Sequence, residues 1–177
     1  MGRPGLVMKR KPVSSMNPVV LISVALIAAV VIYAFVRRPT RITASQIPAV
    51  VAQLQSRGKD KAFATFTFEP PGAVDEVSIQ FSLEGQTLGL DWIYAAAEIG
   101  TGSPSYSRNA LDRQRFASFA RNLGYEVLQR ETRYAKYLRV ERGGSLIDLA
   151  LKTLKELYGV APTDPITVEI DGFSLQR

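Results

Sequence analysis

Residues 77–94 alternate so regularly that only one local structure fits them. Val77, Ile79, Phe81 and Leu83 are apolar, and Ser78, Gln80, Ser82 and Glu84 lie between them. On the return, Leu88, Leu90, Trp92 and Tyr94 alternate with Thr87, Gly89, Asp91 and Ile93. A period of two sends successive side chains to opposite faces, so both runs are strands with one face buried. Gly85-Gln86 suffices for a two-residue turn, with Gly85 free to take a positive φ. Such a hairpin must lay its apolar face against other elements.

The flanking runs supply that cover. Ser45 is a candidate N-cap, after which Ile47, Val50, Val51 and Leu54 follow the i, i+3, i+4, i+7 rule of an amphipathic helix ending at Gly58. Residues 62–69, rich in Phe and Thr, read as a strand broken by Pro70-Pro71-Gly72. A long loop is expected over 95–108. Asn109 is then expected to cap a second helix, with Asp112 three positions on and Leu111, Phe116, Phe119, Ala120 and Leu123 facing inward. Gly124 stops it. Residues 125–131 and 137–141 read as two strands with a turn near 132–135. A third helix follows Gly143-Gly144-Ser145, with Ile147, Ala150, Leu151, Leu154 and Tyr158 on one side and Gly159 at its end. Ile166, Val168 and Ile170 mark a last strand. The expected order is α-βββ-α-ββ-α-β, an α+β fold with helices on one face of an antiparallel sheet.

Ahead of this domain lies a run of a different kind. Residues 18–36 are 19 positions whose only clearly polar side chain is Ser23. As a helix they reach roughly 28 Å, close to the ~30 Å hydrocarbon core of a bilayer. The run exceeds a signal-peptide core, and Arg37-Arg38 stands where a small-residue cleavage site would be. The expectation is a basic tail (1–17), a transmembrane helix (18–36), a basic linker (37–44) and an α+β domain (45–177). Lys9, Arg10 and Lys11 flank the span on one side, Arg37 and Arg38 on the other. A short basic tail before a first span favours a cytoplasmic N-terminus, placing the domain outside the cell membrane.

Charge and composition narrow the function. The net charge of +6 is concentrated at the anchor, because residues 1–41 carry seven bases and no acid while the rest nets −1. A nucleic-acid partner is therefore not expected. With no His and no Cys, zinc fingers, Ser-His-Asp triads and thiol nucleophiles are excluded. The Gly/Ser stretch 100–105 lacks the Lys of a phosphate-binding loop. Asp75, Glu76, Asp91 and Glu98 form no evident acid–base pair, so neither catalysis nor a cofactor is expected.

Binding is what remains. Residues 108–142 carry nine bases against four acids, whereas both flanking segments of the domain are acidic. The candidate partner-binding residues are Arg113, Arg121, Arg130, Arg133, Tyr134, Tyr137 and Arg139, since Arg and Tyr are hot-spot residue types. They suit an acidic protein partner, or anionic lipid headgroups near the anchor. The competing reading is a solvated helix face with charges guarding sheet edges.

The hairpin 77–94, the helix ending Leu123-Gly124-Tyr125 and the helix 146–158 give residues 45–158 an order that resembles the type III secretion chaperone-like proteins, including the YbjN-type family. The membrane span and the strand at 166–170 are departures from that pattern. The resemblance implies a non-enzymatic, often dimeric domain that binds other proteins, so a second copy is also a candidate partner. The expected function is a single-pass, membrane-anchored, chaperone- or adaptor-like binding domain. The alternatives are an immunity-type inhibitor holding a toxin at the membrane, or a structural subunit of a membrane complex.

Overall fold

The computed structural model describes residues 40–96, 104–132 and 135–176, all within the unit Pro39–Arg177. The expected membrane span 18–36 and the flanking bases Lys9, Arg10, Lys11, Arg37 and Arg38 lie outside the described residues. Among the described residues, no helix is long and apolar enough to cross a membrane.

Among the described residues, seven strands and three helices make a mixed, wholly antiparallel fold, the expected α+β class. β1 (Thr40–Thr43) leads through a 3-10 turn into α1 (Ile47–Arg57), followed by β2 (Phe63–Phe68), β3 (Val77–Glu84) and β4 (Thr87–Ala96). Then come α2 (Pro104–Asn122), β5 (Val127–Glu131), β6 (Ala135–Val140), α3 (Leu146–Lys152), a π turn (Thr153–Leu157) and β7 (Pro165–Asp171). The strands lie in the order β1-β7-β2-β3-β4-β6-β5.

Part of the expected linker 37–44 is therefore structure. Thr40–Thr43 pairs with β7, setting Thr40 opposite Val168 and Ile42 opposite Ile166. The helix also starts differently from expectation. The Thr43 backbone N–H donates to Gln46 Oε1 at 2.8 Å, and α1 begins at Ile47 with a proline in its first turn. Ser45 lies inside the 3-10 turn rather than at the α-helix cap. The expected stripe Ile47, Val50, Val51 and Leu54 is buried. Gly58 ends α1 for a reason of space, because a Cβ there would lie 2.4 Å from the Leu54 carbonyl oxygen and 2.7 Å from Leu83 Cδ1.

All three helices share one side of the sheet. Phe66, Phe81, Trp92, Val140, Ile166 and Val168 from the strands join Leu54, Phe116 and Leu149 from the helices in one buried cluster. Trp92 is its centre, stacked on Phe116 at 4.6 Å between ring centroids and near-parallel to Tyr158 at 5.9 Å.

Helix α2 departs most from expectation. It begins at Pro104, so Asn109 lies within the helix and the expected loop 95–108 is shortened from both ends. Its inward stripe is Asn109, Asp112, Phe116 and Ala120, whereas Leu111 is 78% exposed and Leu123 37% exposed. Leu111 is five residues from Phe116, or about 140° around the helix, so the two cannot share a face. In α3 the deepest residues are Leu146, Leu149 and Ala150, continued by Leu154 in the π turn, with Ile147 and Leu151 only half-buried.

Candidate interaction surface

The opposite side of the sheet carries no described helix. Residues paired across strands share a face, so the register maps this open side directly. Thr65 faces Gln80, Thr67 faces Ser78, and Gln80 faces Asp91. Asp91 in turn faces Arg139, and Arg139 faces Leu128. Thr65 Oγ1 donates to Gln80 Oε1 at 2.9 Å, and the Thr67 and Ser78 hydroxyls are hydrogen-bonded at 2.9 Å. The central strands thus present short polar side chains already engaged with one another.

One cluster on this face is buried although no described helix covers it. Arg139 is 0% exposed and Asp91 2%. Arg139 Nη1 donates to Asp91 Oδ1 at 2.9 Å and Oδ2 at 3.1 Å, and to Ser82 Oγ at 2.7 Å. Its Nε donates to Glu141 at 2.5 Å, and Glu84 lies 3.5 Å from Nη1. Ser82 closes the ring by donating to Asp91 Oδ2. Room for the guanidinium comes from Gly89, where a Cβ would lie 2.2 Å from Arg139 Cζ. A glycine inside an otherwise alternating strand is the trace this arrangement leaves in the sequence. Burial pushes the Asp91 carboxyl above its ordinary value, and the Arg139 charge works against that shift. Three carboxylates around one guanidinium fix β3, β4 and β6 side by side. This patch of sheet is cross-linked through its side chains, and a cleft lined by Glu126, Leu128, Arg130, Glu141 and Arg142 borders it.

Two further polar clusters pin α2 to the core side. Asn109 is 0% exposed. Its Nδ2 donates to the carbonyls of Ser78 at 2.8 Å and Ile93 at 2.7 Å, while the Trp92 indole N–H donates to the Asn109 carbonyl at 3.0 Å. The amide side chain takes the place of ladder bonds between the diverging ends of β3 and β4. Lower on the helix, Asp112 accepts from Arg108 Nε at 2.9 Å and from the Tyr158 hydroxyl at 3.0 Å. Burial, with the Asp112 charge adding to it, pushes the Tyr158 phenol far above its ordinary value. Arg115 donates to the Leu157 carbonyl at 3.1 Å, where the π turn ends.

The expected partner-binding residues are distributed over both sides of the sheet. Arg113 and Arg121 are exposed on α2, on the helix side, and the Arg113 guanidinium lies 4.8 Å over the Tyr94 ring. Arg130 is exposed on β5 and faces Tyr137 on the open side. Tyr137 is half-buried, and burial together with the nearby Asp91 and Glu84 carboxylates raises its phenol. Arg139 is enclosed by its carboxylates, so it acts as an internal strut rather than a contact. Arg133 and Tyr134 lie outside the described residues. The sequence thus signalled an excess of arginine, but the sheet divides it. The Asp91–Arg139 cluster and the Asn109 clamp leave little local signal in the sequence, since each joins residues distant along the chain.

Among the described residues, no three His, Cys, Asp or Glu side chains are grouped to hold a metal ion. The buried carboxylates Asp91 and Asp112 are each committed to arginine and hydroxyl partners. Comparison with protein-family models, with curated proteins and with solved structures finds no match to this chain.

Proposed function

We propose that the chain is a single-pass, membrane-anchored, non-catalytic binding domain that recruits or stabilises another protein. The observation that carries this reading is the two-sided sheet: described helices cover one face, and the other is a polar surface whose central strands are cross-linked by the Asp91–Arg139 cluster. A partner would meet such a surface with little loss of side-chain freedom, because Thr65, Thr67, Ser78 and Gln80 are already hydrogen-bonded. The α-βββ-α-ββ-α order from Ile47 to the π turn supports the resemblance to the type III secretion chaperone-like proteins. The apolar run 18–36 supports the anchor, and Lys9, Arg10 and Lys11 support a cytoplasmic N-terminus.

The test is purification of the full-length protein from mildly solubilised membranes, with co-purifying proteins identified by mass spectrometry. One dominant partner in near-stoichiometric amount is expected. Where the partner is acidic, its capture should weaken as salt is raised. Recovery of the chain with no reproducible partner would sink the reading. A reporter fused at the C-terminus and active only in the cytoplasm would reverse the orientation.

A further inference from the structure

The sheet ends at β5, which pairs with β6 on one side and with no described strand on the other. Among the described residues, its outer N–H and C=O groups form a free edge. Native edges are commonly guarded by charge, and β5 with its flank has three charged side chains. Glu131 is already paired with Lys136 at 3.2 Å. Glu126 and Arg130 are exposed, with no ion pair among the described residues. Between them sits the half-buried Leu128. Leu128 and Arg130 lie opposite Arg139 and Tyr137, hence on the open face, and the period of two adds Glu126 to the same row.

That row reads Glu-Leu-Arg at every second position, and reversing its direction exchanges the charges. We propose that β5 pairs antiparallel with β5 of a second copy, with Leu128 on the two-fold axis. In this register Leu128 meets Leu128, and each Glu126 meets the Arg130 of the other copy. The two seven-stranded sheets join into one of fourteen. A slip of one residue would set the open face of one copy beside the helix-bearing face of the other. A slip of two would put either Glu126 or Arg130 against Leu128. Only the centred register satisfies both charges and keeps the faces continuous. A five-residue edge buries less than the ~1,200–2,000 Å² of a standard complex, so the pairing is concentration-dependent. It is independent of any other partner of the protein.

The chain has no cysteine, so a single introduced thiol reports the register. In the full-length protein, Leu128→Cys places two Cβ atoms about 4.5–5.5 Å apart across the axis, where a disulfide needs little movement. Under mild oxidation it should form a covalent dimer about tenfold faster than Gln129→Cys, whose side chain faces Val127 of the other copy. Adding Arg130→Glu to Leu128→Cys should slow the cross-link about tenfold, and Glu126→Arg together with Arg130→Glu should restore it. Equal cross-linking of the two cysteines, or indifference to charge reversal, overturns the proposal. Sedimentation equilibrium with native Leu128 guards against a folding artefact. Arg130→Glu alone should move the monomer–dimer midpoint to higher concentration, and a native chain that stays monomeric throughout overturns the proposal as well.

Discussion

At the scale of single residues, the domain depends on a few buried polar groups whose partners come from distant parts of the chain. Arg139 and Asp91 are 48 positions apart, and neither is tolerable inside without the other. Arg139→Ala would leave Asp91, Glu84 and Glu141 without their shared cation. It should cost about 3–5 kcal/mol in urea unfolding. Asp91→Asn keeps a hydrogen-bond acceptor for the guanidinium and should cost only about 1–2 kcal/mol. Losses in the reverse order would show that the arginine is not the strut. Tyr158 makes a pH-dependent prediction. Its phenol is pushed up in the folded state, so above about pH 10 the unfolded chain releases a proton that the folded chain keeps. Folding stability therefore falls as pH rises through that range, by up to about 1.4 kcal/mol per pH unit from this group. Tyr158→Phe should flatten the alkaline limb by that slope. Parallel limbs for the two proteins would mean that Tyr158 ionises without unfolding. None of these partners was legible locally, although Gly89 and Asp91 interrupt the apolar logic of their strand and mark where to look.

At the scale of elements, period and punctuation carried most of the information. The hairpin of β3 and β4, the helix α1 and the strand β7 stand close to where alternation and 3.6-residue spacing put them, because both patterns are set by the backbone itself. Gly85 and Gly124 take the positive φ that their turns require, +61° and +86°. Helix α2 is the exception. Its leucines suggested one inward stripe, but the sheet selects the neighbouring one, where Phe116 stacks on Trp92 and Asn109 bonds to two strands. A sequence does not show that a buried asparagine can outrank an exposed leucine; the two unsatisfied carbonyls that Asn109 would otherwise leave behind explain it. Asn109→Ala should therefore cost about 3 kcal/mol and Asn109→Asp more, since a carboxylate would face two carbonyl oxygens. Trp92 is the only tryptophan, so its fluorescence should report loosening of α2 in both variants. Unchanged emission and stability in Asn109→Ala would remove the clamp from this account.

At the scale of the whole molecule, the order of strands matters more than their number. β7 comes last in the chain yet sits between β1 and β2, with Val168 facing both Thr40 and Phe66. The domain is therefore closed by residues from both of its ends, and its lower boundary lies before Thr40. A fragment beginning at Pro39 should be soluble and unfold cooperatively. One beginning at Ser45 loses β1, bares the edge of β7, and should melt about 5–10 °C lower and aggregate more readily. Equal melting temperatures would show that β1 adds nothing to the sheet. By itself the sequence determined the α+β class, the order of elements from α1 to β7, and a basic-flanked apolar run before them, because each depends on contacts or periods within a few residues. Tertiary structure alone decided the place of β7, the division of the arginines between two faces, and the enclosure of Arg139 over Gly89. These depend on which distant strands come together, and that is settled by burying one continuous apolar face while giving every enclosed charge a partner.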